Sequence, residues 1–251
     1  MYGWRARIGL LVPSINTTME TELWGMAPEG VSVHTARIAG GRHGTPEELR
    51  SMEEESKHAA ARVAMTEPDV VVYACTSGSF FEGPDWNRQI CAQLTDITGA
   101  PTVTTAGAMT EALQAGGIRR VDVVTPYVEA TNERLKVFLK AHGIEVNRLA
   151  TFDMLDMFDH AKILPEEIYR KVREIDNDEA EAVFVACTQL RALEVVDLLE
   201  RDLGKPVYSA VQATAWQAFR TVGIDPELEG YGSLFSGLGG RSGGSHLRRS
   251  A

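Results

Sequence analysis

Two short elements of this chain carry groups able to do nucleophilic or proton-transfer chemistry, and they repeat. Cys75-Thr76-Ser77-Gly78 and Cys187-Thr188-Gln189 each follow an alanine that ends an apolar run, at residues 70–74 and 182–186. A thiol is a strong nucleophile once ionised and can give or take a proton. The hydroxyls and backbone amides after each cysteine form a cradle for a carboxylate, and amides at a strand-to-helix transition favour thiolate. A single buried cysteine is most simply a small hydrophobe. Cys91, in a helical pattern and without a counterpart, is expected to be a core residue of that kind. An Ala-Cys-Thr element placed twice at a strand end calls for more than packing, so Cys75 and Cys187 are the expected catalytic pair.

Other chemistries find little support. The chain has no GxxxxGK[ST] loop, no GxGxxG opening a helix after a strand and no GxSxG elbow. Its six histidines show no HxxxH or HExxH spacing, and zinc on the two cysteines would need further ligands nearby. No metal or organic cofactor is therefore expected. Asp153, Asp156, Asp159 and His160 form a polar run that reads as a solvated loop. Met19 and Met26, seven apart in a helical pattern, read as core fillers.

The elements that must position the cysteines also repeat. RIGLLVPS (7–14) matches RVDVVTPY (120–127), TPEEL (45–49) matches LPEEI (164–168), and VVYACTSG (71–78) matches VFVACTQL (184–191). GAPTVTTAGAMTEALQAGGI (99–118) matches GKPVYSAVQATAWQAFRTVGI (204–224) in the same order. The pattern is a duplicated unit of roughly 110 residues. Each copy alternates apolar strands (8–12, 31–38 and 70–74; 121–124, 144–150 and 182–186) with helices. The first helix is expected to be capped by Asn16 or Thr17, and a Pro-Glu-Glu start opens a later one. The expected fold is α/β: two pseudo-symmetric, flavodoxin-like halves with parallel sheets, helices on both faces, and an active site between them. The first half is expected over 1–107, completed by 211–235, and the second over 108–210. The Gly/Ser-rich stretch 236–251 reads as a flexible tail. Ligands in such sheets bind at the carboxyl ends of strands, where both cysteines fall.

Composition sets the outer limits. The chain has 251 residues, 44% of them hydrophobic and 24% charged, which excludes disorder, collagen and coiled coil. Three cysteines cannot form a disulfide framework. A net charge of −10 argues against a nucleic-acid surface and requires any bound anion to be held by local donors. No apolar run is long enough for an export signal or a membrane span, so a cytoplasmic location is expected. A homo-oligomer is compatible with these features.

Several segments resemble maleate cis–trans isomerases, within the aspartate/glutamate racemase-like group that also holds arylmalonate decarboxylases. They are VPSINTTMETE (12–22), ACTSGSFFEGP (74–84), VTPYVEATNERL (124–135) and ACTQLRALEVVDLLERDLGKPV (186–207). YGSLF (231–235) resembles the carboxyl end of the decarboxylases. The resemblance implies a cofactor-free site in which Cys75 adds to a small unsaturated dicarboxylate and Cys187 moves a proton. Ser14, Asn16, Thr76, Ser77, Tyr127 and Thr188 would hold the small carboxylate substrate, with His160 as a further donor. The decarboxylases keep only the second cysteine, so two cysteines favour isomerase or racemase chemistry. Asparagines of the isomerase pattern are here His160, Gln189 and Val211. A racemase or decarboxylase acting on a related acid is the alternative.

Overall fold

The computed structural model describes residues 1–236; apart from Ser236, the tail assigned to 236–251 lies outside the described residues. The first half of the chain runs β1 (Ala6–Pro13), α1 (Met19–Met26), β2 (Val31–Ile38), α2 (Pro46–Ala64), β3 (Val70–Tyr73), α3 (Thr76–Phe80), α4 (Pro84–Thr98), β4 (Thr102–Thr104) and α5 (Thr105–Ala115). The second runs β5 (Arg120–Thr125), α6 (Glu129–Ala141), β6 (Glu145–Thr151), a 3-10 turn (Asp159–Lys162), α7 (Pro165–Ile175), β7 (Ala182–Val185), α8 (Leu193–Leu203), β8 (Val207–Ser209) and α9 (Ala210–Thr221). Each half builds one four-stranded sheet, ordered β2-β1-β3-β4 and β6-β5-β7-β8, and every pairing is parallel. The common order is the duplication seen in the sequence, now in space.

Central strands are apolar because both faces are covered. Ile8, Leu10, Leu11 and Val12 of β1 and all of β3 are fully buried, whereas the edge strand β6 has no fully buried residue. Val70 pairs with Ile8 and Tyr73 with Leu11, and this register sets the carboxyl end of β3 beside that of β1. The Pro-Glu-Glu helix starts behave as their chemistry requires. Thr45 Oγ1 accepts from Glu48 N at 3.3 Å and Glu48 Oε2 accepts from Thr45 N at 3.3 Å, a reciprocal cap with Pro46 in the first turn. For α7, Glu167 accepts the Leu164 N–H at 2.8 Å. Asn16 caps α1 from two residues before Thr18, the position where a capping residue ordinarily sits. Its Oδ1 accepts from Thr18 N at 3.0 Å and Met19 N at 2.9 Å, while Thr17 makes no such bond. Met19 and Met26 are fully buried on the inner side of that helix.

Two of the junctions between the halves bear on the site. Helices α5 and α9 pack on each other, with buried Ala106, Ala108, Ala213 and Ala215 letting them approach, and Thr214 Oγ1 donating to Thr105 Oγ1 at 3.3 Å. Helix α9 also touches β3 and β4 of the first sheet. The second junction lies at the strand ends and is polar. Thr17 N donates to Gln189 Oε1 at 2.9 Å, and Gln189 Nε2 donates to Ile15 O at 3.0 Å. Thr18 Oγ1 donates to Gln189 O at 3.0 Å, and Asn16 Nδ2 to Thr188 Oγ1 at 3.1 Å. Thr188 Oγ1 in turn reaches Ala74 O at 3.3 Å. This seam carries the loop after β1 onto the loop after β7. Truncation of Gln189, which is 4% exposed, would leave a part-buried backbone donor and acceptor unpaired, each at the low end of about 1–3 kcal/mol. Gln189→Ala is expected to lower stability by about 2–4 kcal/mol in urea denaturation; a change under about 0.5 kcal/mol, the size of an ordinary surface substitution, would show that the seam does not hold the halves together.

Candidate active site

Both cysteines stand at strand ends, but their settings differ. Cys75 follows β3 in extended backbone (φ −132°) and caps α3, with its Sγ accepting from Gly78 N at 3.4 Å. The Ser77 hydroxyl lies 3.8 Å from the same sulfur. Residue 78 must be glycine for this fit: a Cβ there would stand 2.7 Å from Met52 Cε, 2.8 Å from Tyr73 Oη and 3.1 Å from Cys75 Sγ. Cys187 follows β7 at φ +153°, a backbone region that L-residues rarely adopt. Its Sγ accepts from Gln189 N at 3.4 Å. That amide belongs to a turn and not to a helix, since α8 begins only at Leu193. The expected strand-to-helix setting therefore holds for Cys75 and fails for Cys187.

Burial outweighs the amides at both sulfurs. It pushes the Cys75 thiol up, against the opposing Gly78 amide and Ser77 hydroxyl. The Cys187 thiol is pushed up to about 12, mainly by burial, with the Gln189 amide and Tyr127 hydroxyl pulling the other way. Both are thiols at rest, contrary to the expectation of a resting thiolate. Cys91, expected in the core, is only partly buried on α4. The buried residues of that helix are Ile90 and Leu94.

The two sulfurs border one small cavity. Asn16, Cys75, Thr76 and Ser77 come to it from the first half, and Tyr127, His160, Cys187 and Thr188 from the second. Ser14 does not: it is exposed, and its hydroxyl donates to Ile38 O at 2.9 Å, tying β1 to β2. Pro13, Ile15, Met157 and Gln189 also line the cavity, beyond the residues expected to hold the substrate. A signal for Gln189 was present, since it directly follows Cys187-Thr188. Met157 carried none.

The polar groups divide into those already committed and those still free for a ligand. Thr188 Oγ1 is committed to Ala74 and Asn16, and Asn16 Oδ1 to the start of α1. One N–H of Asn16 Nδ2 remains. Thr76 Oγ1 is buried without a hydrogen bond of ordinary length inside the protein. The Tyr127 hydroxyl stands near both sulfurs and Thr76, and burial keeps it a phenol. Its ring is held edge-on by Phe80 at 6.2 Å and His160 at 6.1 Å. Among the described residues no lysine or arginine lines the cavity. An anion there meets neutral donors only, as the acidic composition requires.

His160 overturns the solvated-loop reading of its segment. Asp153 is exposed and Asp156 and Asp159 are partly so, but His160 is 2% exposed. Its Nε2 lies 3.1 Å from Met154 O and its Nδ1 lies 3.8 Å from Cys187 Sγ. Burial lowers its pKa below the usual 6.5. The three aspartates stay outside because Asp156 has a partner there. Arg42 Nη2 is 2.7 Å from Asp156 Oδ2 and Arg42 Nε 3.1 Å from Oδ1, with the guanidinium 5.1 Å from the Phe158 ring. Met157 N donates to Arg42 O at 2.7 Å. The loop after β2 and the loop after β6 thus clasp each other beside the cavity and press Met157 into its wall. Among the described residues no three His, Cys, Asp or Glu side chains gather as a metal cage, and no helix is long and apolar enough to cross a membrane.

Known proteins share this architecture. The chain is 32% identical over 244 residues to the maleate isomerase of Pseudomonas putida KT2440, covering 92% of this chain and 97% of that one. A structure of the maleate isomerase Iso from Pseudomonas putida S16, a cysteine-to-alanine variant with maleate, superposes with a TM-score of 0.88 at 30% identity, over 92% of this chain and 98% of that chain. A cysteine-to-serine mutant of the Nocardia farcinica maleate cis–trans isomerase, with a covalently bound succinylcysteine intermediate, superposes with a TM-score of 0.87 at 30% identity, over 92% and 98% of the two chains. Residues 8–235, from β1 through the last described segment, match the family model described as arylmalonate decarboxylase, so the chain belongs to the arylmalonate decarboxylase family.

Proposed function

We propose that this protein is a cofactor-independent cis–trans isomerase of a small unsaturated dicarboxylate, converting maleate to fumarate. The observation that carries the reading is the pair of thiols, one from each half, that border a single small cavity furnished with neutral hydrogen-bond donors. Maleate isomerases at about a third identity across nearly the whole chain support it. So does the succinylcysteine in a relative that lacks one of its cysteines, which fits a scheme in which one thiol adds and another does not.

Asn16 Nδ2, Thr76 Oγ1, Ser77 Oγ and Tyr127 Oη would orient the two carboxylates. Cys75 first gives its proton to solvent water; the resulting thiolate adds to one olefinic carbon, and the π pair moves to its neighbour. Cys187 gives that carbon its proton. The former double bond is now single and turns, which the planar acid could not do. Cys187 then takes the proton back, the C–S bond breaks with its electron pair returning to sulfur, and the trans acid leaves. Cys75 suits the additive role because its sulfur has a helix-start amide and a hydroxyl to receive charge.

The family's decarboxylase members favour a second reading, in which Cys187 protonates the carbanion left when a malonate-type acid loses carbon dioxide. A racemase would instead exchange an α-proton with solvent.

Incubation of the purified protein with maleate, followed by proton NMR, is expected to show fumarate growing in; unchanged maleate with folded protein would refute this substrate. Deuterium exchange at an α-carbon or carbon dioxide release from an arylmalonate would then separate the alternatives. Cys75→Ser should reduce turnover by at least about a thousandfold, whereas Cys187→Ser should lose turnover yet retain one covalently bound substrate on Cys75 by intact mass. An adduct confined to Cys187 would reverse the two roles. Arg42→Ala opens the loop clasp; with an exposed ion pair worth up to about 1 kcal/mol, KM should rise up to about fivefold while kcat holds. An unchanged KM would separate the clasp from substrate binding.

A further inference from the structure

We propose that His160 is the proton acceptor for Cys187, so that the second thiol works as one arm of a buried cysteine–histidine dyad. The inference goes beyond the functional reading above: there Cys187 begins as thiol and its proton goes to carbon, whereas here it concerns the resting proton equilibrium of that thiol, and its geometry stands apart from any substrate. A backbone carbonyl can only accept, so the 3.1 Å contact to Met154 O places the ring hydrogen on Nε2. A neutral imidazole then has no second N–H to offer. Its other nitrogen, Nδ1, is an acceptor, and 3.8 Å away stands the Cys187 sulfur, whose S–H can point to it. A carboxylate donor at this position, which the resemblance suggests, is the role this tautomer does not allow.

The ring is fixed in place. It is buried, it lies edge-on to Tyr127, and its 3-10 turn is anchored through Met154 O. Charged and titratable groups face it from several elements. Asp156 and Asp159 favour the imidazolium form, and each is partly neutralised by its own partner, Arg42 or Lys162. Tyr127 and both cysteines lie on the cavity side, and His43 borders the adjoining recess. Burial keeps the imidazole neutral near pH 7, which is the form able to take a proton.

The step balances without any added reagent. The S–H bond of Cys187 breaks and its electron pair stays on sulfur, while the proton forms a bond to Nδ1. Nε2–H stays on Met154 O, and the imidazolium is held by Asp156 and Asp159. The Gln189 amide, which donates to the sulfur, and the Tyr127 hydroxyl near it receive the negative charge. Reversal of the same transfer re-forms the thiol. In a site that pushes this thiol far above neutrality, a base in contact is what makes proton transfer accessible at pH 7.

The test reads the dyad and not turnover. The intact protein is treated with iodoacetamide between about pH 6 and pH 10, and alkylation of the Cys187 peptide is measured by mass spectrometry. In the parent, the rate should rise as His160 loses its own proton and then run flat. In His160→Asn it should rise about tenfold per pH unit and lie about 10- to 100-fold below the parent near pH 7. Superimposable profiles would overturn the proposal. If the variant does not fold, nitrogen-15 NMR of histidine-labelled parent decides: a protonated Nε2 with a bare Nδ1 is expected, and a protonated Nδ1 would overturn the dyad. Failure of maleate turnover would leave both readouts unchanged, so the two proposals fall separately.

Discussion

Everything at the candidate site depends on a few buried hydrogen bonds between the loop after β1 and the loop after β7. Each half contributes one thiol, and the cavity they border is lined from both halves. Gln189 joins them by holding the Thr17 amide and the Ile15 carbonyl at once. Asn16 works in both directions, its oxygen starting α1 and its nitrogen reaching Thr188. Thr188 completes the circuit to Ala74, the residue before Cys75. The helix cap, the strand end and the opposite half thus share one network, and a shift in any member would move a sulfur. Such a network is worth having only when it is fully satisfied, and among its described members each polar atom named here has a partner.

The second constraint is the conflict between enclosure and ionisation. A cavity that excludes water strengthens every contact made to a bound dicarboxylate, but it also opposes the thiolate that the proposed addition needs. At both sulfurs, burial is the largest influence and the local amides only moderate it. Among the described residues the cavity wall holds no lysine or arginine, which avoids a permanent ion pair with either sulfur. The consequence is a site that rests neutral, with Tyr127 and the amides already aimed at the positions where charge would appear.

Much of this could be read in the sequence. The repeated Ala-Cys-Thr elements gave the strand ends to within a residue, because near-continuous apolar runs between polar helices have few other solutions in an α/β chain. The Pro-Glu-Glu starts fixed two helices through capping chemistry that is local in sequence. What stayed hidden was long-range. His160 sits in a run of aspartates that looks solvated, and only the folded chain shows that Arg42, more than a hundred residues earlier, holds Asp156 outside while the ring turns in. Ser14 follows the strand residues around Pro13 yet faces solvent, because its hydroxyl is taken by Ile38 O of the neighbouring strand. The turn after Cys187 breaks the repeat for a similar reason: Gln189 is drawn across to the other half, and α8 can start only beyond it.

That break in symmetry is what lets a duplicated fold divide its labour. Two equivalent cysteines would have equivalent surroundings, and neither would be marked as nucleophile or proton carrier. Here Cys75 keeps the helix-start amide and a flanking hydroxyl, groups suited to a sulfur that carries charge into a bond. Cys187 has exchanged the helix for a strained turn, with the Tyr127 hydroxyl and the His160 nitrogen as its neighbours, groups suited to a sulfur that passes a proton. The same Gln189 that closes the seam prevents the helix from starting at Cys187. The contact that assembles the cavity is therefore also the one that makes its two thiols chemically unlike.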